Sequence, residues 1–230
     1  MTAPAAPTSG AAPADDGHAR FDAALRTHRL VAILRSATAD GLGAAVRVLA
    51  DAGVRCLEVT LPTPGSLAAV AEARTRFGDE LVIGVGTVLR TAEVRRAADA
   101  GARFVVSPNL HPPVVETARE LGLGALPGVF TPTEALAAMD AGATAAKLFP
   151  AVALGPGYVA ALRAPLPDLP LVATGGVALA DVRPWLAAGA LAVAVGSPLL
   201  GDALDGGDLG ALRRRAATFV AAARGGDSRG

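Results

Sequence analysis

From Leu30 onward, eight short apolar runs of β type alternate with longer stretches in which Ala, Leu and Arg recur at helical period. The runs are 30–35, 55–61, 81–85, 103–107, 124–129, 144–149, 171–174 and 191–195, each starting 20 to 27 residues after the one before. A strand that must be followed by a helix before the next strand begins can pair with it only in parallel. Eight even units of this kind predict an α/β fold, a closed (β/α)8 TIM barrel. An open doubly wound sheet is the rival topology, and the even count fits closure better.

The intervening stretches carry helix punctuation. Thr38-Ala39-Asp40, Thr91-Ala92-Glu93 and Thr131-Pro132-Thr133-Glu134 have the residue types that open helices. Gly53, Gly101, Gly122, Gly142 and Gly189 each stand where a left-handed residue would end a helix just before the next strand. An amphipathic helix over 19–28 is placed to plug the barrel floor, and 209–224 is the last outer helix. Trp185 and Tyr158 fall in helical stretches and are read as packing residues.

With 230 residues, 52% hydrophobic and 18% charged, the chain can bury one sizeable core. Residues 19–230 are read as that single domain. Residues 1–18, rich in Ala and Pro, are read as a disordered tail that carries His18 and resembles no secretory signal. Basic and acidic residues number 21 each, so no basic excess exists to hold a nucleic-acid backbone. Arg, Asp, Pro or Gly interrupts every hydrophobic segment, which argues against a membrane span. Cys56 is the only cysteine, pointing to a reducing, cytoplasmic setting, and the scattered His18, His28 and His111 offer no metal-ligand spacing. Neither a metal nor another cofactor is expected, and no dinucleotide fingerprint follows the first run.

One count bears directly on chemistry. Of the 21 basic residues, only Lys147 is a lysine. Strand alternation turns Leu57, Val59 and Leu61 toward the helices and Cys56, Glu58 and Thr60 inward; the same parity sends Ala146 and Leu148 outward and Ala145, Lys147 and Phe149 inward. The barrel then holds one carboxylate and one amine. They read either as a buried ion pair or as working groups, since charge inside a barrel is retained mostly when paired or needed. Desolvation lowers a lysine pKa and leaves neutral amine that can attack a ketone, which a guanidinium cannot do. For Glu58 the matching expectation is a raised pKa suited to moving protons.

In barrels of this type the loops after the seventh and eighth strands often build a phosphate site. Here they begin Thr174-Gly175-Gly176 and Gly196-Ser197-Pro198, the latter with the look of a short helix start. Gly84-Val85-Gly86-Thr87 ends the third run with a hydroxyl and backbone donors, or with close helix packing. Arg35 ends the first with parity that points it inward, either to grip a carboxylate or phosphate or to lie at the surface.

Six segments in order, Leu57-Glu58-Val59-Thr60-Leu61, Gly84-Val85-Gly86-Thr87, Ser107-Pro108-Asn109, Pro127-Gly128-Val129, Lys147-Leu148-Phe149-Pro150 and Thr174-Gly175-Gly176-Val177, resemble the 2-keto-3-deoxy-6-phosphogluconate (KDPG) aldolase family. The likeness runs from about Leu30 to Arg224. It implies a metal-independent class I aldolase, usually a homotrimer, that cleaves a small phosphorylated keto-deoxy sugar acid, KDPG, to pyruvate and glyceraldehyde 3-phosphate; some relatives also cleave 4-hydroxy-2-oxoglutarate. By resemblance, Lys147 is the Schiff-base lysine and Glu58 the proton carrier. Thr87 and Pro108 line the pyruvate end, Phe149 walls the lysine, and Gly175, Gly176, Gly196 and Ser197 form the phosphate end. Many members continue the glutamate motif with Leu-Arg-Thr, whereas this chain has Leu61-Pro62-Thr63, so Arg35 is the candidate for holding the substrate carboxylate. Threonine before Gly-Gly is the pattern of the gluconate enzymes and valine that of the phosphogalactonate enzymes, so Thr174 favours KDPG over its C4 epimer. The alternatives are the phosphogalactonate aldolase and, in other classes, a phosphate-binding barrel isomerase or synthase without a covalent intermediate, or a phosphosugar sensor.

Overall fold

The computed structural model describes residues 16–225. Its strands are β1 Leu30–Leu34, β2 Cys56–Thr60, β3 Val82–Gly86, β4 Phe104–Val106, β5 Gly124–Leu126, β6 Gly128–Val129, β7 Ala146–Leu148, β8 Leu171–Thr174 and β9 Ala192–Val195. Among the described residues the helices are α1 Gly17–His28, α2 Leu42–Asp51, α3 Ser66–Phe77, α4 Thr91–Asp99, α5 Pro112–Glu120, α6 Pro132–Asp140, α7 Pro156–Arg163, α8 Val182–Ala187, α9 Ser197–Leu200 and α10 Leu209–Arg224. None is long and apolar enough to cross a membrane.

All the paired strands run parallel, in the order β5-β4-β3-β2-β1-β9-β8-β7-β6. The two ends of this order, β5 and β6, adjoin in the chain. The fifth run, read from sequence as one strand over 124–129, is divided at Pro127, which has no N–H to give a ladder. Its carbonyl still accepts from Lys147 N–H at 2.9 Å, and Ala125 O accepts from Thr144 N–H at 2.9 Å. The sheet thereby closes on itself into a TIM-type α/β barrel.

Side chains separate by parity into two cores. Leu57, Val59, Ala146 and Leu148 join the layer between strands and helices. Cys56, Phe104, Leu126, Ala145 and Val172 point inside, where Phe21, Ala24 and Leu25 of α1 seal the floor. The Phe21 and Phe104 rings stack with centroids 4.0 Å apart. Inward glycines make this possible: a Cβ at Gly84 would lie 2.6 Å from the Phe104 ring, and one at Gly124 would lie 2.6 Å from Phe21.

Two expectations need correction, and the part of the assigned tail over residues 1–15 lies outside the described residues. His18 belongs to α1, which begins two residues before the expected start: its N–H donates to Gly122 O at 3.1 Å, and its Nδ1 shares a 3.1 Å hydrogen bond with Thr144 Oγ1. Helix α2 starts after Thr38-Ala39-Asp40, with Gly41 at its N-cap, because Thr38 N–H instead turns back to Ser36 Oγ. Helix α4 opens at Thr91 as expected, with Arg90 at its N-cap, and Glu93 accepts from the N–H groups of Leu89 and Arg90 at 2.7 and 3.1 Å. Thr131 caps α6 as expected, with Glu134 completing a capping box. The five helix-ending glycines all have φ between 70 and 102°.

Candidate active site

The C-terminal ends of the strands open into a cavity of about 530 Å³, the end of such a barrel where catalytic groups gather. All eleven residues singled out from sequence line it: Arg35, Glu58, Thr87, Pro108, Lys147, Phe149, Thr174, Gly175, Gly176, Gly196 and Ser197. They come from loops and strand ends spread around the barrel, so closure of the sheet is what assembles them.

Glu58, on β2, is 2% exposed, and Lys147, on β7, is 7% exposed. The carboxylate occupies space that β3 yields to it, for a Cβ at Gly86 would fall on Glu58 Oε1. Glu58 Oε2 has no hydrogen-bond partner, and among the described residues no ion pair joins it to Lys147. The two charges favour each other through space without a direct contact. Burial pushes the Glu58 carboxyl above the usual carboxylate range, a rise that the positive charges of Lys147 and Arg35 oppose. Burial likewise draws Lys147 below the ordinary lysine value; Glu58 counteracts this and Arg35 adds to it. The amine lies 4.8 Å from the centre of the Phe149 ring, which walls one side.

Arg35 sits at the exposed rim, where its guanidinium donates to Thr87 Oγ1 at 3.5 Å. Thr87 holds φ at 61°, a left-handed conformation uncommon for threonine. Of the residues lining the cavity, Arg35 is the only arginine; Pro62, which stands where many KDPG aldolases have one, lies on the surface away from it. Ser107 Oγ donates to Val88 O at 2.6 Å and so fixes the turn that presents Pro108.

At the opposite wall Thr174 is 2% exposed and its Oγ1 has no partner. Gly175 and Gly176 follow at φ 91 and 79°, and a Cβ at Gly176 would lie 2.5 Å from Val152. This close packing and the 3.0 Å bond from Val152 N–H to Gly175 O hold the loop against the turn after β7. Ser197 begins α9, as the Ser-Pro pair led us to expect. Sequence reasoning missed Val177, Leu204 and Asp205 on the same wall. Asp205 is an exposed carboxylate beside the glycine loops; it lies in the connection between α9 and α10, where neither strand parity nor helix period marks a residue as facing a site.

Comparison with known proteins decides the family. The model of the family described as KDPG and KHG aldolase matches residues 21–214. The chain belongs to the KDPG and KHG aldolase family. Within it, the chain is 41% identical over 194 residues to the "Probable 2-dehydro-3-deoxy-6-phosphogalactonate aldolase" of Rhizobium meliloti (strain 1021), covering 84% of this chain and 90% of that one. It is 35% identical over 182 residues to the "KHG/KDPG aldolase" of Escherichia coli (strain K12), covering 77% and 84%. A solved structure described as native KDPGal superposes with a TM-score of 0.80 at 37% identity, covering 85% of this chain and 94% of that chain. Membership in this aldolase family gives the coarse activity, that of an aldolase, a lyase.

Proposed function

We propose that the chain is a class I aldolase that cleaves 2-keto-3-deoxy-6-phosphogalactonate to pyruvate and glyceraldehyde 3-phosphate. The observation that carries this choice is the greater identity to the relative named for the phosphogalactonate substrate, 41% over 194 residues against 35% over 182 for the KHG/KDPG aldolase. It moves the C4 epimer that the resemblance ranked second into first place. The phosphogluconate reading remains as the second, favoured by Thr174, whose unpartnered hydroxyl is buried at the cavity wall. Cleavage of 4-hydroxy-2-oxoglutarate would use the same pyruvate end.

In the proposed reaction the neutral amine of Lys147 attacks the C2 ketone, and Glu58 moves the protons that turn the carbinolamine into an iminium with loss of water. Glu58 then takes the C4 hydroxyl proton, the C3–C4 bond breaks, and its electron pair is held as an enamine while the aldehyde leaves. Protonation at C3 and hydrolysis release pyruvate and restore the amine. Arg35 and Thr87 hold the pyruvate carboxylate, Pro108 and Phe149 pack against the three-carbon unit, and the loops at Gly175, Gly176, Gly196 and Ser197 receive the phosphate. The buried, depressed amine beside an unpaired carboxylate supports these roles. A homotrimer working in the cytoplasm, without metal or other cofactor, completes the proposal.

The test is incubation with pyruvate and borohydride followed by peptide mass spectrometry, where one lysine leaves a single side-chain amine to assign. A reduced adduct on Lys147 is the expected result; an unmodified lysine would turn the reading to a non-covalent barrel. Coupled pyruvate release from each C4 epimer then decides the substrate, with faster release from the galactonate form expected.

A further inference from the structure

The floor of the barrel holds a second cavity, of about 590 Å³, that the aldolase reaction does not use. It is bordered by the C-terminal ends of α1, α7 and α10 and by the segment leading into β9. Arg26, His28, Arg29, Arg163 and Arg224 line it, and among the described residues no carboxylate does. Arg29 and Leu191 directly precede β1 and β9, so this cavity faces the end of the barrel opposite the catalytic one.

Much of this positive charge is fixed and little is neutralised. Arg163 donates to the carbonyls of Gly189 and Pro167 at 2.6 and 2.7 Å. Arg29 reaches those of Leu191 and Ala190 at 3.4 and 3.5 Å. Carbonyls orient a guanidinium without cancelling its charge, and each guanidinium keeps donors to spare. Arg26 alone has a carboxylate partner, Asp22 at 2.8 Å. The other carboxylates nearby, Asp79 and Glu80, line the adjoining hollow beyond His28, where Asp79 is shared by Arg20, Arg74 and Arg103. Protonation of His28 is disfavoured first by burial and then by Arg224 and Arg55, as a local positive excess requires.

Structural bonding accounts for Arg163, held by the connecting-segment carbonyls of Gly189 and Pro167, and for Arg26, paired with Asp22 near the end of α1. It does not account for Arg224, which has no hydrogen-bond or ion-pair partner among the described residues. The left-handed φ of 55° at Arg29 belongs to its place as the C-cap of α1, where its N–H donates to Leu25 O at 3.1 Å. Guanidinium forks around an open hollow match oxyanions that keep part of their hydration, and the volume falls in the ~300–1,000 Å³ range of small-ligand sites. With no Phe, Tyr or Trp in the lining to stack on a base, a compact anion fits better than a nucleotide.

We propose that the floor cavity is a binding site for a small, multiply charged oxyanion, a compound bearing two or more phosphate or carboxylate groups, separate from the catalytic cavity. The test titrates inorganic pyrophosphate into the full chain by calorimetry, using the unaltered protein, Arg224→Glu, Arg224→Ala and, to place a negative charge at the catalytic phosphate loops, Ser197→Asp. Binding to the unaltered protein that persists in Ser197→Asp and weakens by about tenfold or more in Arg224→Glu is the expected result. Arg224→Ala, which removes the charge without reversing it, should weaken binding in the same direction and serves if Arg224→Glu does not fold. No binding to the unaltered protein, unchanged affinity in the Arg224 variants, or loss confined to Ser197→Asp would overturn the proposal.

Discussion

Lys147 and Glu58 are held inside one cavity without being spent on each other. Substitution can therefore separate their roles. Lys147→Arg keeps the positive charge but cannot form an imine, so turnover in the coupled pyruvate assay should vanish; retained turnover would rule out the covalent route. Glu58→Gln should slow turnover by about 10² to 10⁴ while pyruvate can still be trapped on Lys147 by borohydride, and a near-normal rate would take Glu58 out of proton transfer. The direction of the lysine shift gives a pH prediction. The reactive form is the neutral amine, so trapping should rise with pH through a midpoint below the ordinary lysine value of 10.5. A midpoint at or above 10.5 would contradict a desolvated amine. These two residues were legible in the sequence because a period of two in fully buried strands fixes which side chains face inward, and because lysine occurs once. Asp205 was not, for a residue in an irregular connection has no period from which to read its direction.

Among the elements, α1 shows where sequence reading runs short. Its amphipathic stretch and its place at the floor could be read, but its start could not. That start depends on a close approach in space, since a Cβ at Gly17 would stand 2.6 Å from Arg103 O, and on the bond between His18 and Thr144 across the barrel. The division at Pro127 was visible as a proline, yet both halves stay in the barrel wall because the proline carbonyl continues the ladder that its nitrogen cannot. Since Phe21 is fully buried and stacked on Phe104, Phe21→Ala should lower stability by about 3–5 kcal/mol in urea unfolding. A loss below about 1 kcal/mol would mean that α1 is not an integral part of the core.

For the whole molecule, eight-unit spacing was enough to give the barrel, because the alternation of strand and helix leaves few closed arrangements. The choice of C4 epimer was not legible: one hydroxyl at Thr174 pointed one way and identity summed over the chain points the other. Assembly is tested at this scale as well. Leu89, Phe130 and Val152, each between 40 and 69% exposed, follow β3, β6 and β7 on the side of the barrel that carries the catalytic cavity. Sedimentation equilibrium should give three times the 22.8 kDa chain mass, and a monomer mass would remove the proposed trimer. The burial of Lys147 has a practical consequence. The amine is 7% exposed and lines the catalytic cavity, and the chain has no other lysine. Bulky amine-reactive dyes and crosslinkers should therefore leave the side chains of this protein unlabelled, while a keto acid small enough to enter the cavity still reaches Lys147.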